Sequence, residues 1–162
     1  MKKFISIFLS SLIFMMCCIV PIGASDASYD EYIQFTSSNA RMESDGSFHF
    51  YFRTRVTSDY FTADSSTMTV TTQAHLFAQD GTKETFVTSD VSFRLTLYKK
   101  NFIGKSKVMS YIAYTDNIYG GVEVEVEKGK KYFLELECLN NLDSTKYYIE
   151  GIGLVTPVTL VD

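Results

Sequence analysis

Residues able to carry acid–base or metal chemistry are few in this chain. Its two histidines, His49 and His75, limit zinc sites and His-assisted nucleophiles alike. Both alternate with outward residues. Paired across neighbouring strands with Asp59 or Asp64 they offer one zinc arrangement, but scattered surface histidines are the commoner case. No serine sits in a Gly-x-Ser-x-Gly elbow, and Ser110 lies in Met-Ser-Tyr with no glycine beside it. Cys138 continues the alternation Tyr132, Leu134, Leu136, the pattern of a small buried apolar residue, and its neighbour Glu137 would raise a thiol pKa rather than lower it. The sequence therefore predicts no catalytic residue.

Carboxylates and rings remain. Glu123, Glu125, Glu127, Glu135 and Glu137 fall on the outer positions of two strands joined by Lys128-Gly129-Lys130-Lys131. If those strands paired directly, Glu123 and Glu135 would face one another, and like charges opposed in a ladder destabilise it. Three arrangements resolve this: the strands lie in different sheets, as a sandwich favours; the lysines screen the charge; or Ca²⁺ bridges Glu123, Glu125 and Glu135. Calcium prefers converging loop oxygens, so a solvated face is the simpler expectation and calcium the one cofactor candidate. Asp45-Gly46, Asp80-Gly81 and Asp116-Asn117 lack Asp-x-Asp-x-Asp spacing and read as turns. Tyr51, Tyr60, Phe61, Tyr98, Tyr111, Tyr114 and Tyr119 fall at outward or loop-like positions, where rings cover sheet edges, stack on sugars or anchor a protein. The stretch Tyr111-Ile112-Ala113-Tyr114 through Tyr119-Gly120-Gly121 is apolar and glycine-flanked. It is the expected binding surface, with Tyr51, Tyr111, Tyr114 and Tyr119 as contact residues.

The elements that must position these residues read as strands. Aromatics make up 15% of the chain with no tryptophan and only two prolines, and no sustained helical period appears. Ile33-Gln34-Phe35 opens a first strand. Phe48 to Val56 places Phe48, Phe50, Phe52 and Val56 on one face. Thr67 to Phe77 buries Met68, Val70, Thr72, Ala74 and Leu76. Val91, Phe93, Leu95 and Leu97 form the next inner face, which Lys99-Lys100-Asn101 ends. Val108 to Tyr114 is apolar on both parities, a central strand or the lip of a groove, and Gly120-Gly121 closes it. Val122, Val124 and Val126 alternate with glutamates, Tyr132 to Glu137 follows, and Tyr147 to Val155 carries Gly151 and Gly153, signs of a bulge or a close backbone approach. Seven or eight such strands without helices predict an all-β fold, an antiparallel two-sheet β-sandwich of jelly-roll or Ig-like type; a small barrel is the alternative.

Lys2 and Lys3, the uncharged run from Phe4 to Val20 and Pro21-Ile22-Gly23-Ala24 form a bacterial secretory leader. Phe4 to Ile22 is 19 residues, close to the ~20 that cross a bilayer, so an uncleaved anchor is the alternative. Ser10, Ser11 and two cysteines dilute the run and small residues follow Pro21, which favours cleavage near Ala24 or Ala27. Met16 before Cys17 breaks the lipoprotein pattern. The expected organisation is a signal peptide over 1–24, a tether over 25–32 and one β-sandwich domain over 33–162. Cleavage removes Lys2 and Lys3 and leaves 13 basic against 19 acidic residues, a formal charge of −6. Such a chain is a poor partner for nucleic acid. Cys138 alone remains, so no internal disulfide forms in the oxidising space outside the cell.

The strand ending in Leu-Tyr (VSFRLTLYKK), the turn and strand EKGKKYFLELE and the closing STKYYIEGIGLV resemble the bacterial pre-peptidase C-terminal domain, a secreted β-sandwich, over about residues 48–155. That resemblance implies a non-catalytic module of the kind found beside proteases and other hydrolases. Carbohydrate-binding sandwiches look similar. The expectation is a small secreted, non-catalytic module, extracellular or held at the envelope, that binds a protein or carbohydrate at the cell surface and meets the membrane only through its signal peptide during export. The competing readings are a small hydrolase or metal-dependent enzyme on the same scaffold and a secreted antagonistic peptide or toxin.

Overall fold

Period-two burial runs through almost every extended segment of the computed structural model, which describes residues 39–80, 83–88 and 90–161. The leader, the tether, the strand expected at Ile33-Gln34-Phe35 and the glycine of Asp80-Gly81 lie outside those residues. Residues Phe35–Asp162 form one compact unit by themselves, and every sheet pairing described below is internal to it.

The described residues contain no helix. The strands are β1 (Asn39–Met42), β2 (Ser47–Phe52), β3 (Arg55–Thr57), β4 (Phe61–Ala63), β5 (Thr67–Asp80), β6 (Lys83–Val87), β7 (Ser92–Lys100), β8 (Lys105–Tyr114), β9 (Gly120–Glu125), β10 (Lys131–Cys138), β11 (Tyr147–Thr156) and β12 (Val158–Leu160). They form two antiparallel sheets, and the chain is a β-sandwich. One sheet runs β1-β2-β11-β5, and the far edge of β5 is shared by β9 along its first half and β6 along its second. The other runs β12-β4-β10-β7-β8, with β3 beside the end of β10.

The core lies between the sheets. Phe48, Phe50, Phe52, Met68, Val70, Ala74, Leu76 and Ile149 face Phe93, Leu95, Leu97, Leu134 and Leu136, all fully buried. Phe93 meets Phe50 and Phe52 across the layers at ring distances of 5.8 and 6.0 Å. Each of the larger apolar side chains here stabilises the fold by roughly 1.5–3 kcal/mol, and Cys138 is a free thiol. Gly151 and Gly153 are a close approach and not a bulge, because the β11 register is unbroken across them. A Cβ at Gly153 would stand 2.2 Å from Phe48 Cζ, and one at Gly151 2.4 Å from Phe50 Cζ. The two rings occupy the space that side chains at these positions would need.

Four expectations are corrected. Phe48 to Val56 is two strands in different sheets. At the corner, Arg53 donates to Ser144 O at 2.7 Å and Gln79 Oε1 at 2.6 Å, and the chain leaves the first sheet while Phe52 and Val56 both stay inward. Phe61 is not outward but fully buried in β4, opposite Tyr132. Gly120-Gly121 opens β9 and does not close β8. Cys138 is only half-buried; its Sγ lies 3.4 Å from Asn140 O and burial raises its thiol pKa.

Candidate functional site

Among the described strands β8 pairs only with β7 and β9 only with β5. Each is therefore an edge of its own sheet, and residues 115–119 carry the chain from one to the other. A groove of about 270 Å³ lies here, lined by Thr72, Tyr111, Ile112, Ala113, Tyr114, Asp116, Ile118, Gly120 and Gly121. Val108 to Tyr114 is thus an edge strand and groove lip, not a central strand.

Tyr111 stands opposite Leu95 in the ladder and so points inward. Its hydroxyl lies 2.6 Å from Thr72 Oγ1 on β5, a bond between the two sheets that floors the groove. Burial raises the Tyr111 phenol pKa, opposed by the Thr72 bond, so the group stays a neutral hydroxyl. Val108 and Met109 of β8 and Val122 and Val124 of β9 are packed on the core yet only partly buried. The apolar interior reaches the surface along this side. Ile112 and Tyr114 alternate to the outer face, and Ile118 and Tyr119 are exposed on the loop by 66% and 56%.

The loop is held firmly. Asp116 Oδ1 accepts the Ile118 N–H at 3.0 Å, and Asn117 takes a left-handed φ of 60°. Gln73 Nε2 donates to Asn117 O and Oδ1 at 3.0 and 2.7 Å, and the Asn117 N–H donates to Ala74 O at 3.1 Å. The Asp116 carboxylate serves the turn, as an Asx turn requires. A Cβ on Gly120 would meet nothing within 4 Å, so the groove is open above that residue.

Two of the four expected contact residues, Tyr111 and Tyr114, line this groove; Tyr119 is exposed on the loop between two lining residues, Ile118 and Gly120, and Tyr51 lies elsewhere. It stands on the outer face of the first sheet, its ring 4.5 Å from Tyr148. Tyr148 stacks on Phe77 at 5.3 Å, and Phe77 meets Phe86 edge-on at 5.9 Å. Arg53 donates to the Tyr51 hydroxyl at 3.2 Å. Burial and a hydrogen bond to Glu84 push the Tyr148 phenol pKa up. Glu150, opposite both Tyr51 and His75 in the register, is raised by burial and then by Glu84. This aromatic row across β2, β11, β5 and β6 went unread in the sequence because β6 shows no alternation.

The calcium candidates are not brought together. Glu123 and Glu125 lie on β9 in one sheet, and Glu135 lies on β10 in the other, where it pairs with Lys105 at 2.9 Å. Among the described residues no group of three or more His, Cys, Asp or Glu is placed to hold a metal. His49 and His75 share the outer face of the first sheet, with β11 between their strands. His75 packs against the ring edges of Phe77 and Phe86, and its buried Nδ1 has no hydrogen-bond partner among the described residues. A general base needs that nitrogen oriented by a third group. No helix among the described residues is long and apolar enough to cross a membrane.

The fold and groove define a β-sandwich with an apolar cleft between two open strand edges. No protein-family model and no curated protein matches the chain.

Proposed function

We propose that this chain is a small secreted, non-catalytic binding module that uses the β8–β9 groove to hold an extended apolar segment of a protein at the cell surface. One observation carries the reading: two unpaired strand edges flank a cleft lined by Tyr111 and Ala113, and the partly buried Val122 and Val124 continue the apolar surface along β9. An extended peptide there completes a ladder through its backbone and sets alternate side chains into the cleft. A sugar is the weaker fit, since the lining is mostly apolar and the chain has no tryptophan. No cofactor enters this binding mode.

Export through the leader, cut near Ala24, places the module outside the cell. We read the wrap as a jelly roll: the orders β2-β11-β5-β9 and β3/β4-β10-β7-β8 return the last strand beside the first, as two nested Greek keys do. The kinship to pre-peptidase C-terminal domains is part of this proposal. It draws support from Leu97-Tyr98 on β7 lying against Phe133 and Leu134, just past the Gly129-x-x-Tyr132 turn.

The test is a selection of displayed random peptides on the domain from Ser25 to Asp162, with Gly120→Phe as the counter-screen and a glycan array alongside. A Cβ at Gly120 meets nothing within 4 Å, and circular dichroism checks that Gly120→Phe keeps the fold. Peptides of alternating apolar residues that bind the parent and not the variant are the expected result. Peptides that bind both equally, or glycan binding that Gly120→Phe blocks, overturn the peptide reading.

A further inference from the structure

The far end of β8 presents a second surface. The β7–β8 hairpin turns through Asn101-Phe102-Ile103-Gly104, with Phe102 104% and Ile103 86% exposed. Turns favour Asn, Asp, Gly and Ser, so two large apolar residues at the tip are out of keeping with a solvated loop. The tip is held outward by its own bonds. The Asn101 N–H donates to Gly104 O at 3.1 Å, Asn101 Nδ2 donates to Ser106 Oγ at 2.6 Å, and Gly104 takes a φ of +77°.

Lysines ring the tip. Lys100 opposes Lys105 at the base of the hairpin, with Lys99 one step and Lys107 two steps further down. Lys99 bonds Glu127 at 2.5 Å, which brings the basic turn Lys128, Lys130 and Lys131 to the same end. Two carboxylates there, Glu127 and Glu135, are engaged by Lys99 and Lys105. Lys100 and Lys105 also sit over the rings of Tyr60 and Tyr98, at 4.2 and 3.8 Å. Among the described residues of an acidic chain, this end concentrates positive charge around protruding apolar side chains.

We propose that the Phe102–Ile103 tip inserts into the interface of an anionic phospholipid bilayer while the surrounding lysines meet the headgroups. Apolar side chains reach roughly 5–10 Å into the headgroup and acyl boundary, a depth suited to a two-residue tip. β8 is 10 residues long, about 30 Å at ~3.3 Å per residue. An inserted tip therefore holds the groove at the other end of β8 away from the lipid. This anchor is independent of the groove and departs from the expectation that the membrane is met only through the signal peptide during export.

The chain lacks tryptophan, so Phe102→Trp in the Ser25–Asp162 domain is a single reporter at the tip; Ile103→Trp is a parallel reporter, and circular dichroism confirms folding. With vesicles of equal phosphatidylglycerol and phosphatidylcholine, the indole emission is expected to shift to the blue and to be quenched by brominated lipid. With phosphatidylcholine alone or at raised salt the effect weakens. Vesicle co-sedimentation falls about fivefold for each lysine replaced by Gln and at least about tenfold in Phe102→Asp/Ile103→Asp. Unchanged emission with anionic vesicles overturns the proposal, as does equal sedimentation of the parent and the double Asp variant. A blue shift that grows with protein concentration and needs no lipid overturns it in favour of a second copy.

Discussion

Gly153→Ala should unfold this protein several degrees early, and the structure sets the size of the effect. The added Cβ would lie 2.2 Å from Phe48 Cζ, 2.5 Å from Cε1 and 2.6 Å from the Thr71 carbonyl oxygen, against the 3.4–4 Å of ordinary contact. Phe48 is fully buried and Thr71 O is backbone in the β5–β11 ladder, so neither yields cheaply. Overpacking of this kind costs about 1–3 kcal/mol. The gain from restricting the unfolded chain returns about 0.4–1 kcal/mol. The net is a loss of about 1.3 kcal/mol, out of the 5–15 kcal/mol typical of a domain, or a Tm lower by roughly 4–6 °C for a unit of this size. Urea and thermal unfolding followed by circular dichroism measure it. Phe48→Leu removes Cζ and should recover about half of the penalty in the double variant, leaving the Thr71 contact in place. Gly120→Ala, where a Cβ meets nothing within 4 Å, is the control and should stay within about 0.5 kcal/mol. If Gly153→Ala were as harmless as Gly120→Ala, the packing of rings over the β11 glycines would be refuted.

Tyr111→Phe leaves the buried Thr72 hydroxyl without its partner and should cost about 1–3 kcal/mol in urea unfolding, whereas Tyr111→Phe/Thr72→Val removes both polar atoms and should cost less than the single change. Glu150→Gln is expected to raise Tm at pH 7–8. Burial and Glu84 hold the carboxyl above its ordinary 4.5, so its favourable contribution is full below about that pH and is lost as pH rises through the folded value. The difference between Gln and Glu, measured against Tyr51, Arg53 and His75 left intact, should vanish near pH 4; a Tm difference that grows towards acid would contradict it. Arg53→Ala frees Gln79 and Ser144 O and loosens the β2–β3 corner; fluorescence-free thermal unfolding should show a loss of about 1–3 kcal/mol.

Much of the sandwich was legible because burial on one face imposes a period of two. Met68 to Leu76, Phe93 to Leu97 and Tyr132 to Leu136 are inward as the alternation reads. The corner at Arg53-Thr54 was not legible, since Phe52 and Val56 keep the same parity on either side of a change of sheet. The short strands β1, β4 and β12 have three or four residues, too few for a period to show. β6 is exposed along nearly its whole length and is fixed by pairing with β5 alone. At the groove, the run of apolar residues on both parities from Val108 to Tyr114 announced a surface where inside and outside meet. Thr72 could not be foreseen, because it reaches Tyr111 across 39 residues of sequence and from the other sheet. Tyr51 shares outward parity with Tyr114, but parity within a strand says nothing about which sheet the strand joins.

Amide chemical-shift mapping with the tightest selected peptide tests the central claim most directly. The account predicts perturbations concentrated on 108–124, at the facing edges of β8 and β9 and at Thr72, with new protection of edge amides and no change along the Tyr51–Tyr148–Phe77 row. Perturbations confined to that row, with β8 and β9 silent, would contradict it.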